Sequence, residues 1–403
     1  MKVLQINAVS VISSTGRICS ELSDYLNNNG HEGYIAYSTG FPYSSEFRIG
    51  SKLDTKLHGL LSRIFGTQAY FSKGATRKLL RYVSYLKPDV VHLHNLHSNY
   101  INLKLLLNYL AKNDIPTVIT LHDCWFYTGK CTHYTVDNCY NWQTGCGGCP
   151  RLKIDNPSWI FDRTRKMLLD KKEWFSAIPR LAVVGVSDWI TNEARKSFLS
   201  SAKIITRIYN WIDLDTFKPV DTLATREQLG LTDKFIVLSV SSEWSNAKGL
   251  DKFFELAEIV PVNMKIVLVG KIDNRLKLPE NIIHVPQTHN VSELAQYYSM
   301  ADVYVHLSQE ETFGKTIAEA LSCGTPAIVL NSTACPEIVD ESCGIVVNDN
   351  QPQSIFNAIK KIQNNGKRFY SESAVTRVSE LFNAKTNMDE LLKLYQQLMN
   401  YVD

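Results

Sequence analysis

The sequence has no long apolar run. Its apolar runs, such as 266–270 and 327–330, are far shorter than the ~20 residues that a membrane-spanning helix needs. The N-terminus enters a β-type run directly and lacks the charged, apolar and small-residue regions of a signal peptide. These absences predict a cytoplasmic protein without a transmembrane segment.

Signatures of two common ligand classes are also missing. No zinc-finger or helix-turn-helix spacing occurs, and no basic segment carries interleaved stacking aromatics, which argues against nucleic-acid recognition. The loop after the first apolar run, 7–20, does not supply Gly-x-Gly-x-x-Gly. A nicotinamide-dependent oxidoreductase, which would need that motif, is therefore disfavoured.

A chain of 403 residues is too long for one ordinary hydrophobic core and has the length expected of two domains. Short β-type runs alternate with helical patterns, such as the helix predicted over 18–28, and this alternation is typical of parallel sheets with crossover helices. The predicted strands are 2–8, 32–37, 89–95, 116–123, 180–187, 235–241, 264–270, 282–286, 301–307, 326–330 and 344–347. The predicted class is α/β, with two doubly wound Rossmann-like domains facing across a cleft and ligands at the carboxyl ends of the strands.

The pattern also predicts where the domains divide. We expect an N-terminal domain over 1–200, with a cysteine-rich insertion at about 124–150, and a second domain over 201–375. The last segment, 376–403, has a helical pattern with no strand after it. We expect it to cross back to the N-terminal domain.

Charge is unevenly distributed although the net charge is only +3. The segment 51–87 carries one acid, Asp54, and eight bases: Lys52, Lys56, Arg63, Lys73, Arg77, Lys78, Arg81 and Lys87. Apolar residues recur there at helical spacing, namely Leu57, Leu60, Leu61, Ile64 and Phe65. Two interpretations stay open: an amphipathic helix on an anionic membrane surface, or a solvated face packed on its own domain.

The segment 310–326, EETFGKTIAEALSCGTP, predicts a phosphate site. A helix follows the Thr312–Phe313–Gly314 turn and ends before Gly324 and Pro326. A glycine at the turn lets a ligand approach the backbone, and the free N–H groups of the first helical turn attract anions. Lys315 and Thr316 would strengthen that site.

Two carboxylates flank this turn. Glu311 precedes it and Glu319 lies about one turn along the helix. Ionised carboxylates accept hydrogen bonds from paired sugar hydroxyls. Phosphate in the middle with a sugar at each end indicates a nucleotide-sugar, although either Glu alone would equally fit an ordinary helical acid.

The whole string closely resembles the signature of retaining glycosyltransferases of the GT-B fold, family 4. The matching residues are Glu311, Phe313, Gly314, Glu319, Ala320, Gly324 and Pro326. The resemblance implies that Glu311 contacts hydroxyls of the donor sugar and that Glu319 binds the ribose. It also implies that the residues after the Phe-Gly turn, Gly314 to Thr316, hold the diphosphate.

Other positions match the same family along nearly the whole chain. Thr15, Gly16 and Arg17 would approach the donor phosphates from the first strand-to-helix loop, and His122 stands where the family has its active-site histidine. Lys248 matches the lysine of a diphosphate clamp. The resemblance therefore implies His122, Lys248 and Glu311 as catalytic residues, with Phe313 among the donor-binding ones.

Two positions depart from the family pattern. Glu243 occupies the place of the arginine that shares the clamp with Lys248, and Trp211 replaces the usual glycine in YNWIDLDTFKP. The missing arginine leaves open a chain that binds a nucleotide-sugar without transferring it, as a non-catalytic or activating subunit. We expect Arg17 or Lys315 to compensate, or Glu243 to point away.

The implied reaction is retaining transfer of a hexosyl group from a nucleotide-sugar, a UDP-sugar being favoured, to a hydroxyl of a surface-polysaccharide acceptor on a lipid carrier. No cofactor is expected in catalysis. The one Asp-x-Asp, at Asp213 and Asp215, does not stand at a strand end, and we interpret it as structural. A peripheral position at the inner face of the membrane is consistent with the basic segment.

Four of the nine cysteines cluster: Cys131, Cys139, Cys146 and Cys149. The pair Cys146-Gly-Gly-Cys149 has zinc-knuckle spacing, whereas the first pair is too widely spaced for a common finger. A structural zinc site, disulfides or a redox pair, and plain buried thiols all remain open. Glycosyltransferases resembling colanic-acid and capsule enzymes carry a similar insertion, which would shape the acceptor side of the cleft.

Overall fold

The computed structural model describes residues 1–43, 46–154, 156–288 and 290–401. Contacts divide the chain into two compact units, Met1–Ile208 with Met388–Asp403, and Tyr209–Asn387. The final segment predicted from sequence therefore splits at Met388, and its last two residues lie outside the described part. Each unit is built around its own parallel sheet.

The first unit holds a seven-stranded sheet in the order β3-β2-β1-β4-β5-β6-β7. All its neighbours pair in parallel. The strands are β1 (Lys2–Ser10), β2 (Glu32–Gly40), β3 (Glu46–Arg48), β4 (Val90–Leu93), β5 (Thr117–Leu121), β6 (Leu181–Gly185) and β7 (Ile204–Arg207). The helices are α1 (Ser13–Asn28), α2 (Lys52–Phe65), α3 (Lys73–Leu86), α4 (Leu103–Lys112), α5 (Thr164–Ser176) and α6 (Asp188–Lys196). Two 3₁₀ turns, Asn141–Gln143 and Phe198–Ser201, complete these connections.

The second unit holds a six-stranded parallel sheet in the order β10-β9-β8-β11-β12-β13. Its strands are β8 (Phe235–Glu243), β9 (Met264–Lys271), β10 (Ile282–Val285), β11 (Val303–His306), β12 (Ala327–Leu330) and β13 (Gly344–Val347). The helices are α7 (Leu223–Gln228), α8 (Leu250–Ile259), α9 (Val291–Met300), α10 (Lys315–Ser322), α11 (Cys335–Ile338), α12 (Pro352–Asn365) and α13 (Lys367–Leu381). A 3₁₀ turn, Asn246–Lys248, follows β8.

The strands form where continuous apolar runs can be buried on both faces of a sheet. Val237, Leu268, Val305 and Ile328 from four neighbouring strands are all buried in one core, which α8 and α12 cover with Phe253 and Ile359 among others. Eleven predicted strands are present in the structure, and the α/β class is confirmed. The two that the sequence analysis missed, β3 and β7, are short strands at the sheet edges, where alternation is too brief to be recognised.

The last helix, α14 (Ala384–Met399), packs mostly with the first unit. Its Tyr395 hydroxyl lies 2.7 Å from Nδ1 of His92 on β4, and Asp389 accepts a hydrogen bond from Tyr25 of α1. No helix in the described ranges combines the length and apolar character needed to cross a bilayer.

Candidate active site

The sheet orders place the candidate residues of the second unit side by side. Strand order reverses between β8 and β11, which are hydrogen-bonded neighbours. Lys248 follows β8 and Glu311 follows β11. Ligands of doubly wound sheets bind at such a reversal, outside the carboxyl ends of the strands.

Lys248 and Glu311 form a close ion pair. Nζ of Lys248 donates to Oε1 of Glu311 over 2.6 Å, and the two side chains are 39% and 18% exposed. Nε2 of His306, the last residue of β11, lies 3.3 Å from the same oxygen, within ion-pair distance. The Thr333 hydroxyl accepts the backbone N–H of Glu311 over 2.9 Å and so holds the loop.

The pair controls the protonation of Glu311. Burial by itself would raise the pKa of this carboxyl, but the Lys248 ammonium and then His306 outweigh it and hold the pKa well below the ordinary value of 4.5. The group is therefore an ionised hydrogen-bond acceptor at neutral pH. It can accept from a ligand hydroxyl, as proposed for a sugar contact.

The turn after Glu311 has the backbone that the sequence predicted. Gly314 has φ 90° and ψ 55°, a left-handed conformation, and α10 begins at the next residue. A Cβ on Gly314 would lie 2.7 Å from Cδ1 of Ile317 and 3.2 Å from Cδ1 of Ile338. Only glycine fits here without displacement, and the first turn of α10, with Lys315 and Thr316, presents the N–H groups that favour a phosphate.

Two residues predicted to bind the donor, Phe313 and Glu319, have buried side chains. The Phe313 ring is buried against Tyr209 and Phe382, at centroid distances of 6.1 and 5.1 Å. Glu319 is 2% exposed, and its Oε2 accepts the hydroxyl of Tyr298 over 2.9 Å. Phe313 thus shapes the turn through packing, and a ribose contact by Glu319 stays a prediction.

The departures from the family pattern have visible consequences. The Glu243 side chain is 72% exposed and lies 3.8 Å from Nζ of Lys271 on the paired strand β9. Trp211 is buried at 3% exposure. Asp213 accepts the backbone N–H groups of Asp215 and Thr216, which makes the Asp-x-Asp a turn-forming element as interpreted from sequence.

In the first unit, the expected loop around Thr15 is a helix. We predicted that Thr15, Gly16 and Arg17 precede the helix, but α1 begins at Ser13 and contains all three. Val11 and Ser13 take positive φ angles of 65° and 60°, so the chain turns sharply enough to begin the helix earlier. A Cβ on Gly16 would lie 3.1 Å from the Val11 nitrogen, so this glycine allows the tight entry.

His122 directly follows β5 and is half-buried. Its Nε2 lies 2.9 Å from Nδ1 of His94, which follows β4. His94 is 1% exposed, and burial, followed by the charges of His92 and His122, holds its pKa well below the ordinary value. His94 is therefore a neutral partner that restrains the ring of His122.

Sequence reasoning missed two of these groups, His94 and His306. Both were visible as histidines at strand ends, in VVHLHN and DVYVHL. Alternation along a strand cannot tell whether such a ring meets a neighbouring strand's side chain. Strand order decides that, because β4 lies beside β5 and thereby places His94 beside His122.

The four clustered cysteines line one cavity together with Tyr134 and Trp142. No disulfide joins any of the nine cysteines in the structure. Among the ranges described, no three His, Cys, Asp or Glu side chains are already grouped as a metal-binding set.

Models of known protein families match most of the chain. The model of "Glycosyltransferase Family 4" matches residues 15–216, and that of "Glycosyl transferases group 1" matches residues 221–374. A putative colanic acid biosynthesis glycosyl transferase, WcaC of Escherichia coli (strain K12), is 26% identical over 272 residues, which are 66% of this chain and 65% of that protein. An uncharacterized glycosyltransferase of Methanocaldococcus jannaschii is 22% identical over 60% of this chain and 63% of its own length. The matches thus span just under two thirds of these relatives.

Solved structures share the whole fold at low identity. Sucrose-phosphate synthase from Thermosynechococcus elongatus superposes with a TM-score of 0.72 at 17% identity, covering 98% of both chains. Anabaena HepE in complex with UDP and glucose gives 0.70 at 16% identity, covering 98% of this chain and all of that one (100%). These likenesses establish the GT-B fold.

Substituting Gly314 tests the turn before α10. Gly314→Ala should lower the free energy of unfolding by about 1–3 kcal/mol, because it adds a steric collision to the cost of a left-handed backbone. Gly230→Ala is the control, since Gly230 also has a positive φ, 67°, but open space around its Cβ. Chemical denaturation of both variants should show the larger loss for Gly314; equal losses would contradict the collision.

Removing the ammonium at Lys248 tests the electrostatics of Glu311. The folded pKa of Glu311 is depressed, so its stabilising contribution is present above about pH 4.5 and is lost as pH falls below it. Lys248→Met should cost about 1–3 kcal/mol at pH 7, less than a fully buried pair because Lys248 is partly exposed.

That cost should shrink at pH 4, where the unpaired carboxyl of the variant takes up a proton. Denaturant unfolding at both pH values measures it. Lys271→Met is the control, because its ion pair with Glu243 is largely exposed and should contribute little at either pH. A pH-independent cost for Lys248→Met would contradict the assigned pKa of Glu311.

Proposed function

The chain belongs to glycosyltransferase family 4, and from that premise we propose that it transfers a hexosyl group from a nucleotide-sugar to a polysaccharide hydroxyl with retention of configuration. The observation that carries the proposal is the Lys248–Glu311 pair beside the Gly314 turn. A UDP-sugar is the favoured donor, supported by the UDP and UDP-glucose complexes of the Anabaena structures with this fold.

The proposed donor lies with its diphosphate at the start of α10. Breaking the glycosidic bond develops negative charge on the leaving diphosphate, so donors already oriented toward it lower the barrier. Lys248 and the N–H groups after Gly314 supply that charge stabilisation, and the family resemblance assigns Thr15, Gly16 and Arg17 to the same phosphates. The proposal needs no divalent metal for this step.

Glu311 is proposed to orient the transferred sugar. It is ionised and its Oε1 is already held by Lys248, which suits an acceptor of sugar hydroxyls better than a nucleophile. Retention without a carboxylate nucleophile requires attack on the same face that the leaving group departs from, with the diphosphate taking the acceptor's proton. His122, restrained by His94, is proposed to contact the transferred sugar and its acceptor.

The acceptor is proposed to be a growing surface polysaccharide on a lipid carrier. WcaC, to which the chain is similar, is named for colanic acid biosynthesis. A lipid-linked acceptor would bring the protein to an anionic bilayer as a peripheral protein at its inner face. The surface of α2 supports that part of the proposal.

Helix α2 turns its apolar side outward. Leu53, Leu57, Leu60 and Phe65 are 74%, 53%, 43% and 44% exposed, while the buried residues of the helix are His58, Gly59 and Ser62. All eight basic residues of the segment 51–87 are exposed. An outward apolar stripe among exposed cations is the pattern of a helix that lies in a membrane interface.

A neighbouring loop extends this stripe. Trp159, Ile160 and Phe161 are 53%, 62% and 44% exposed. The backbone N–H of Trp159 donates to the carbonyl of Arg63 over 2.8 Å, and the Arg63 guanidinium lies 5.9 Å from the Trp159 ring centroid. Tryptophan and arginine together favour the level of lipid headgroups.

Transfer is tested with purified protein and a panel of UDP-, GDP-, ADP- and dTDP-sugars. A true donor at 100 times its Kd should stabilise the protein by about 2.7 kcal/mol in a thermal-shift assay. Glu311→Gln should lower kcat/KM by about 10²-fold or more, since it weakens a contact to the reacting sugar. Glu341→Gln, an exposed acid, is the control.

Activity should survive chelation of divalent ions, and NMR of the product should show a retained anomer. Inversion, or full turnover by Glu311→Gln, would refute the mechanism. Donor binding without hydrolysis or transfer to any glycan acceptor would instead identify a non-catalytic binding subunit.

The membrane part is tested by vesicle flotation. Binding should rise with anionic lipid content and fall with salt, because exposed cations carry the long-range attraction. Leu57→Asn with Phe65→Asn should weaken it by about tenfold or more, since two exposed apolar side chains lose their burial in the interface. Leu223→Asn, equally exposed at 56% in the second unit, is the control; binding insensitive to lipid charge and to both α2 substitutions would remove the membrane role.

A further inference from the structure

The segment between β5 and α5 contains a cluster of thiols that the proposed transfer reaction does not use. Cys131, Cys139, Cys146 and Cys149 come from separate turns and line a single cavity of about 20 Å³. Cys131 is buried and the other three are half-buried. A cavity of this size admits one small ion or one water.

Three glycines beside Cys146 and Cys149 have backbone conformations that other residues rarely adopt. Gly145, Gly147 and Gly148 have φ angles of 150°, 139° and 58°. A Cβ at any of the three would meet nothing within 4 Å, so backbone conformation and not space explains why glycine stands there.

The backbone at Gly129 also comes close to the cluster. A Cβ on Gly129 would lie 3.1 Å from the Cys146 sulfur, so glycine lets the chain pass beside that thiol. Thiolates are the form of cysteine that binds metal.

Two lysines beside the cluster are buried, which is costly for a cation without compensating charge. Lys171 is 2% exposed; its Nζ donates to the carbonyls of Trp125 and Thr128 over 2.6 and 2.9 Å. Lys130 is also 2% exposed, and its Nζ lies 2.7 Å from the carbonyl oxygen of Leu152.

We propose that Cys131, Cys139, Cys146 and Cys149 bind one Zn²⁺ as a structural site. Four thiolates around one divalent ion carry a net charge of two negative units, which the two buried lysines neutralise. Among the described residues no three His, Cys, Asp or Glu side chains are already placed to hold a metal ion, so the proposal requires the four sulfurs to move together when the ion binds. All ligand positions are protein side chains, so the site is not catalytic.

A metal also accounts for how this segment holds its shape. Between β5 and α5 the described part of the chain has no strand and only the 3₁₀ turn Asn141–Gln143. Such a segment lacks a regular backbone hydrogen-bond ladder and gains stability from a cross-link that joins distant turns. The cross-link keeps the segment against β5, and thus beside His122.

The first test measures the metal in the full-length protein purified under reducing conditions without added chelator. Elemental analysis should give about one zinc per chain, and exchange with Co²⁺ should give the sulfur-to-metal absorption of a tetrahedral thiolate site. Removing the metal with a strong chelator should lower Tm. Wild-type protein with a negligible zinc content that also fails to take up Co²⁺ would overturn the proposal.

The second test uses substitutions. Cys146→Ser and Cys149→Ser should each reduce metal content by at least tenfold, while Cys343→Ser, which removes a buried thiol of the second unit, should leave it unchanged. Should the ligand variants fail to fold, thiol counting and intact mass of the wild-type protein decide instead. Two disulfides among these four cysteines, seen as a mass lower by four hydrogens, would refute metal binding.

Discussion

The candidate site depends on one ion pair. Lys248 and Glu311 meet over 2.6 Å at the carboxyl ends of two neighbouring strands. A partly buried carboxylate without its ammonium would take up a proton or leave the site, since removing charge from water costs several kcal/mol. With the ammonium present, Glu311 stays an ionised hydrogen-bond acceptor beside the positive end of α10. One contact therefore determines both the charge and the position of the carboxylate that is proposed to bind the donor sugar.

In the first unit, a chain of contacts between side chains restrains the half-buried imidazole of His122. His92 contacts Tyr395 and Thr120 over 2.7 Å each, and its ring lies 4.1 Å from that of His94, which contacts His122. Burial lowers the pKa of His92 to about 3, with a smaller contribution from His122. Neutral rings can pack together without repulsion. The C-terminal helix thus stabilises, through Tyr395, the strand that supports the predicted active-site histidine.

Several residues show why the sequence predicted part of the site and not all of it. Gly314, Lys315 and the two glutamates lie within one short segment, so their spacing alone indicated a turn before a helix. The contact between Lys248 and Glu311 joins residues 63 positions apart, and no local pattern records it. The motif marks Glu319 as well as Glu311, but only the structure shows that helix α10 turns Glu319 toward Tyr298 in the core.

The sequence by itself determined the alternation of strands and helices, the glycine-dependent turn before α10 and the family, because these follow from local periodicity, backbone preference and a contiguous motif. Tertiary structure decided which strand ends became neighbours, and therefore which charges paired and which rings touched. It also decided that α2 exposes Leu53, Leu57 and Leu60 and buries His58 and Ser62. The periodicity of a helix marks an apolar side, but only its packing partners settle which side faces solvent.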